Sequence, residues 1–175
     1  MNKKEKIMNQ KTMNLIKKFY KKLPRFKDGR IDYSKSSKAP VLTCVIKYKS
    51  RILLLKRSNK VGTYKGKWQV VAGYLDELKP LKEKVLEELK EELKVSEKLI
   101  KKITYGKRFS FKDKKINKTW IVHPVLAELK QRPKINLSEE HTEYKWIFPE
   151  EIKKYDTVPN LKKSLKAVLS MQALS

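Results

Sequence analysis

Five glutamates (Glu83, Glu87, Glu88, Glu91 and Glu92) crowd one short segment of a chain in which 44 lysines and arginines outnumber 19 aspartates and glutamates. The same segment, Pro80 to Leu93, carries Leu81, Val85, Leu89 and Leu93 at i, i+4 spacing and a proline in its first turn, which predicts an amphipathic helix. At about 100° per residue, with Glu88 as zero, Glu92 falls near +40° and Glu91 near −60°. Val85, Leu89, Leu93 and Leu86 span roughly +60° to +160° on that wheel. Three carboxylates are therefore expected along one edge of the buried face, with Glu83 and Glu87 turned toward water. Like charges so close destabilise a helix. A hard divalent cation, which takes oxygen ligands, would reverse that cost. A solvated helix with Lys84 and Lys90 beside its acids accounts for the same spacing equally well.

The flanking segments read as a sheet. Val41–Tyr48 and Arg51–Arg57 are apolar strands around a Lys49-Ser50 break, a hairpin expected to lie against a core. Residues 58–67 form a loop with two glycines and three lysines, and Trp68–Ala72 is a short strand closed by Gly73. Ile103–Phe111 and Ile116–Leu129 are expected strands around a polar turn, and Tyr144–Phe148 is another. Pro149–Tyr155 and Leu161–Leu174 read as helices, the second capped by Asn160. This alternation predicts an α/β sheet sandwiched by helices over residues 40–175.

Residues 1–39 stand apart, with 13 basic and three acidic residues. Met8, Leu15, Ile16, Phe19, Tyr20 and Leu23 fall at helical spacing, and Pro24 should end the helix. This basic extension is a candidate for RNA or anionic-membrane contact. The alternative, favoured here, is a helix packed on its own domain.

The formal net charge of +25 suggests polyanion contact through counterion release. Only six of the basic residues are arginine, the better residue for bidentate phosphate contacts, so a solvated surface explains the excess as well. Either way the field attracts anionic substrates. One cysteine, Cys44, excludes an intramolecular disulfide framework and any multi-cysteine metal site. It reads as a buried small hydrophobe. No apolar run is long enough for a membrane helix and no signal peptide is evident, so a cytoplasmic protein is expected. His123 and His141, without a cysteine or close partner, read as structural.

From Val41 to about Leu169 the chain resembles a Nudix hydrolase domain, whose signature is G-x5-E-x7-R-E-U-x-E-E-x-G-U with U a bulky aliphatic residue. Gly73, Glu88, Leu89, Glu91, Glu92 and Val95 match at the required spacing. Arg57-Ser58 with residues 62–68, and Glu140 to Ile147, resemble an archaeal-type branch of that family. Lys79, Glu87 and Lys94 stand where the signature has Glu, Arg and Gly. The missing glycine leaves the helix free to run on past Lys94.

The resemblance implies a Nudix-type α/β/α sandwich with a mixed sheet. It further implies Mg²⁺- or Mn²⁺-dependent hydrolysis of a pyrophosphate linkage in a nucleoside diphosphate joined to another moiety. Glu88, Glu91, Glu92 and the Ala72 carbonyl would be metal ligands, with Glu88 or Glu92 a candidate base. Glu140 and Glu143 are the candidates for a base on a distant loop. Arg57, Lys65 and Lys67 are candidates for phosphate contacts, with surface charge the alternative for either lysine, and Trp68 or Tyr64 for stacking on a base, with burial the alternative for Trp68. A homodimer is a further expectation from the family. A Nudix fold that binds RNA or a ribonucleoprotein without turnover is the competing reading.

Overall fold

The protein is described by a computed structural model over residues 1–169. Strand β1 (Lys38–Tyr48) is the spine of an eight-stranded mixed sheet. It runs parallel to β7 (Lys118–Leu129) in a register from Lys38↔Thr119 to Lys47↔Glu128. On its other edge it turns through Lys49 and Ser50 into β2 (Arg51–Arg57) and pairs antiparallel with β4 (Val71–Tyr74). Beyond β2 lie β3 (Trp68–Gln69) and β8 (His141–Ile147). The outer edge of β7 is shared by β5 (Ile100–Tyr105) and β6 (Phe109–Asp113).

The pleat of β1 and β2 sorts side chains into two cores. Leu42, Cys44, Ile46, Leu53 and Leu55 face α2 (Leu81–Leu93) and α1 (Lys3–Lys22), whereas Val45, Ile52 and Leu54 face α3 (Leu161–Val168). Helices on both faces of a sheet whose central strands are apolar on both sides make the expected α/β/α sandwich. Cys44 is fully buried, as a small hydrophobe should be. Helix α1 ends at Lys22 before Pro24 and places Ile16, 1% exposed, into the α2-side core, so the basic extension is packed on the domain. No helix among the described residues is long and apolar enough to cross a membrane.

Several local expectations need correction. The expected strand over residues 103–111 is two strands, because the chain leaves the ladder around Gly106. The Gly106 N–H donates to the Pro124 carbonyl, and a Cβ at Gly106 would overlap the backbone of Ala167 in α3. Residues 68–72 also divide: Trp68 and Gln69 pair with β2, whereas Val71–Tyr74 pair with β1. Strand β8 begins at His141, three residues before the expected start. Asn160 precedes α3 in a left-handed conformation and makes no side-chain cap. Helix α3 closes at Val168, and the rest of its expected span, residues 170–174, lies outside the described residues.

The acidic helix also stops earlier than a lysine in the signature's closing glycine position suggests. Lys94 takes φ 58°, its N–H donates to the Lys90 carbonyl, and the Val95 N–H reaches back to Leu89. This left-handed closure is the one glycine usually provides. Here burial of Leu93 and Val95, at 0% and 2% exposure, holds a lysine in it.

Candidate active site

Leu81, Val85, Leu89 and Leu93 seat α2 on the sheet, and that rotation carries Glu88 and Glu92 inward with them. Glu92 is 3% exposed, and neither of its carboxylate oxygens has a hydrogen-bond partner among the described residues. Burial pushes its acid pKa well above the carboxylate range, and the neighbouring Glu88 carboxylate pushes it further. Glu88 itself is raised by burial, against the pull of Lys84. The Glu88 carboxylate fills the space where Gly73 has no side chain; a Cβ there would overlap it. That contact is a physical reason for a glycine at this position of β4.

Ala72 presents its backbone to the same place. The Leu75 N–H donates to the Pro40 carbonyl, so the alternation of the antiparallel ladder turns the N–H and C=O of Ala72 away from β1. The Ala72 N–H faces Glu92 and slightly opposes the rise in its pKa. The backbone thus leaves the Ala72 carbonyl on the edge where the two glutamates meet. Glu91 departs from the expected gathering: it is exposed, one step around the helix from the sheet. Among the described residues no three acidic, histidine or cysteine side chains already form a cage for a metal ion. The site is a buried pair with a third acid at its rim.

Lys84, expected as a solvent-facing neighbour, is buried. Its ammonium lies 3.0 Å from Glu88, 3.3 Å from Glu87 and 3.4 Å from Asp76. Lys79 pairs with Glu87 at 3.1 Å and with Glu77 at 2.8 Å. Glu87 therefore does not point freely to water. Against partial burial, Lys79 and Lys84 hold its pKa below the ordinary range. The two positions with inverted charge, Lys79 and Glu87, meet each other. Lys84, one turn before Glu88, supplies the cation that an arginine at 87 would have brought near.

Arg57, at the end of β2, reaches the site from the other side. Its Nε donates to the Thr63 carbonyl at 2.9 Å and its Nη1 to Gln69 Oε1 at 2.8 Å. Burial lowers its pKa, and the charges of Glu140 and Glu92 oppose that shift. Gln69 Nε2 lies 2.9 Å from Nε2 of His141, whose Nδ1 is 3.7 Å from Glu92. Burial, with Arg57 adding to it, pushes the His141 pKa down to about 4, so the ring is neutral at physiological pH. Sequence reasoning missed Gln69 and the neighbourhood of His141. The one signal in the sequence was that His141 directly follows the candidate Glu140.

Other expected site residues are sorted by the sheet's pleat. Glu140 is exposed in the loop before β8, and its backbone carbonyl anchors the Ser58 N–H beside Arg57. Glu143 is instead tied to Lys56 at 2.9 Å. Lys56 alternates with Arg57 along β2 and lies over Trp68, so Glu143 belongs to the α3 side and is not brought to the acidic pair. Trp68, 8% exposed, packs edge-on against Tyr155 in the α3-side core. Lys67 is engaged by Asp156 at 2.7 Å. Lys65 stands exposed in the loop. Tyr64 accepts from Trp120 Nε1 and donates to Asp113 at 2.7 Å. His123 lies with its Nδ1 3.1 Å from the Ile121 carbonyl, away from the glutamate pair's hydrogen-bond partners. A cleft of about 820 Å³ between α1, α2 and β5 contains none of these site residues.

A mixed-sheet α/β/α sandwich with a buried glutamate pair on one helix, set against a strand edge and an arginine, defines a recognisable architecture. The chain belongs to the NUDIX domain family, whose model matches residues 38–168. Among solved structures it is similar to the MutT protein of Methanosarcina mazei Go1, with 24% identity, coverage of 74% of this chain and 91% of that one, and a TM-score of 0.61. It is also similar to the Ap4A hydrolase of C. elegans (22% identity, 74% and 93% coverage, TM-score 0.59). A third likeness is the NUDIX domain of Shewanella oneidensis NrtR complexed with ADP ribose (15% identity, 75% and 88% coverage, TM-score 0.62). No curated protein matches the sequence.

Proposed function

We propose that the chain hydrolyses a pyrophosphate linkage in a nucleoside diphosphate joined to another moiety, with Mg²⁺ or Mn²⁺ as cofactor. The observation that carries this reading is Glu92. A carboxylate 3% exposed, with both oxygens unpartnered among the described residues and a second carboxylate beside it, is costly unless a cation answers it. Glu88, Glu92 and the Ala72 carbonyl would hold the ion, with Glu91 at the rim. A divalent ion, when bound, supplies charge neutralisation at the pyrophosphate and activates water.

The chain's own residues do the rest. Arg57 uses only part of its donor fork on Thr63 and Gln69, so its remaining N–H groups can orient phosphate oxygens. Glu140, on the exposed loop beside Arg57, is the candidate to take a proton from attacking water. Lys65 adds to the positive field over the entrance. The protein should release phosphate-bearing products from a panel of dinucleotides, nucleotide sugars, ADP-ribose and capped RNA in the presence of Mg²⁺. Glu92→Gln should lower turnover by about 100-fold or more.

One observation favours a second reading. Lys4, Lys11, Lys18 and Lys22 form an exposed row along α1, a surface suited to RNA. No turnover on any member of the panel, together with salt-sensitive RNA binding, would replace the hydrolase reading with that one.

A further inference from the structure

The polar groups behind Glu92 are ordered by hydrogen-bond polarity alone. A guanidinium can only donate, so the 2.8 Å contact from Arg57 Nη1 identifies the near end of the Gln69 amide as its oxygen. The far end, Nε2, is then a donor, and it lies 2.9 Å from Nε2 of His141. That ring nitrogen must accept, which leaves the proton of the neutral ring on Nδ1. Nδ1 is buried without a partner among the described residues, and an equally unpartnered Glu92 oxygen lies 3.7 Å away, just outside hydrogen-bond distance. Two buried orphans, one obliged to donate and one able only to accept when ionised, face each other.

We propose that His141 is a positioning residue for Glu92: Arg57, acting through Gln69, fixes the ring as the Nδ1–H tautomer, and that N–H orients the Glu92 carboxylate. The chain links residues 57, 69, 141 and 92, and it couples a candidate phosphate-binding group to a candidate metal ligand. Carboxylates and imidazoles that orient ligating groups from behind are a general device of metal sites. The contribution to catalysis rests on the hydrolase reading above; the tautomer does not.

The test has two arms on the full-length protein. Long-range ¹H–¹⁵N spectra of the wild-type imidazoles, with His123→Gln to assign the two rings, should show His141 protonated on Nδ1 and bare on Nε2. An Nε2–H ring at His141 overturns the proposal whatever the protein hydrolyses. In the second arm His141→Asn places an amide nitrogen near the Nδ1 position, whereas His141→Gln places one near Nε2. Asn should retain kcat within about threefold, and Gln should lose about tenfold or more with KM little changed and thermal stability matched to Asn. Mn²⁺ affinity by calorimetry should follow the same order, so the comparison decides the matter even for a chain with no hydrolase activity. Equal losses in both variants, or none in either, overturn the positioning role.

Discussion

Replacing Lys84 by Met keeps most of the side chain's volume and removes the one cation buried among Glu88, Asp76 and Glu87. Lys84 and its two nearest buried partners have side-chain exposures of 7%, 11% and 9% for Lys84, Glu88 and Asp76, so solvent can do little for the charges left behind. Breaking a buried pair from one side costs about 3–5 kcal/mol. With Glu87 retaining Lys79, the lower end applies, so we expect a loss of about 3 kcal/mol near pH 8, or roughly 6–12 °C in Tm for a chain of this length.

The sign of the pH dependence follows from the shifts. Burial already raises the pKa of Asp76 and Glu88, and Lys84 restrains both. Without Lys84 they rise further, so the folded variant binds protons that the unfolded chain does not. Stability of the variant then falls as pH climbs from the ordinary carboxylate range toward the raised folded values, and recovers on acidification through that window. Urea unfolding of wild type and Lys84→Met, in chelator so that no cation replaces the ammonium, should show a gap that narrows to about 1 kcal/mol near pH 5. A gap below about 1 kcal/mol near pH 8, or one that does not change with pH, would refute the buried-hub account.

Gly73→Ala should cost about 1–3 kcal/mol in urea unfolding, because the new methyl displaces a Glu88 carboxylate that Lys84 holds at 3.0 Å. Calorimetry should show a parallel loss of Mn²⁺ affinity. Lys94→Gly should stabilise the protein by about 1 kcal/mol, a rise of roughly 2–4 °C in Tm, because a φ of 58° strains a residue that carries a Cβ. Hydrolysis rates should not change, since Lys94 is exposed and lies past the end of α2.

The part of the site that rides on one helix was legible in the sequence, and the family resemblance named Arg57 and Ala72 on the sheet; Gln69, the neighbourhood of His141 and the burial of Lys84 were not legible. The i, i+4 leucines fix how α2 rolls onto the sheet, and Glu88 and Glu92, one turn apart, follow from that roll. Glu91, at about −60° on the same wheel, lies farther from the apolar arc than Glu88 or Glu92, so the roll that turns those two inward leaves it in water. The choice between Glu140 and Glu143 depends on where β8 starts, because period-two alternation is informative only once the first residue of a strand is known. Lys79 and Glu87 read in isolation as two losses. Their 3.1 Å contact joins the segment before α2 to the helix's second turn, a tertiary fact that spacing does not encode.

That contact also bears on how a departure from a motif should be weighed. A substitution that inverts a charge is disabling when its partner stays the same, and close to neutral when the partner inverts too. Here Glu87 has exchanged sign with Lys79, and the cation lost beside Glu88 reappears on Lys84, a turn earlier on the same helix. Around the glutamate pair, Lys79 thus answers Glu87 and Lys84 answers Glu88, while Gly73, Glu88 and Glu92 match the signature. Electrostatic roles can migrate along a helix because Coulomb interactions tolerate an ångström or two of displacement. A carboxylate seated against a missing Cβ tolerates none, which is a physical reason for Gly73 and Glu88 to stand together beside the paired charges of Lys79 and Glu87.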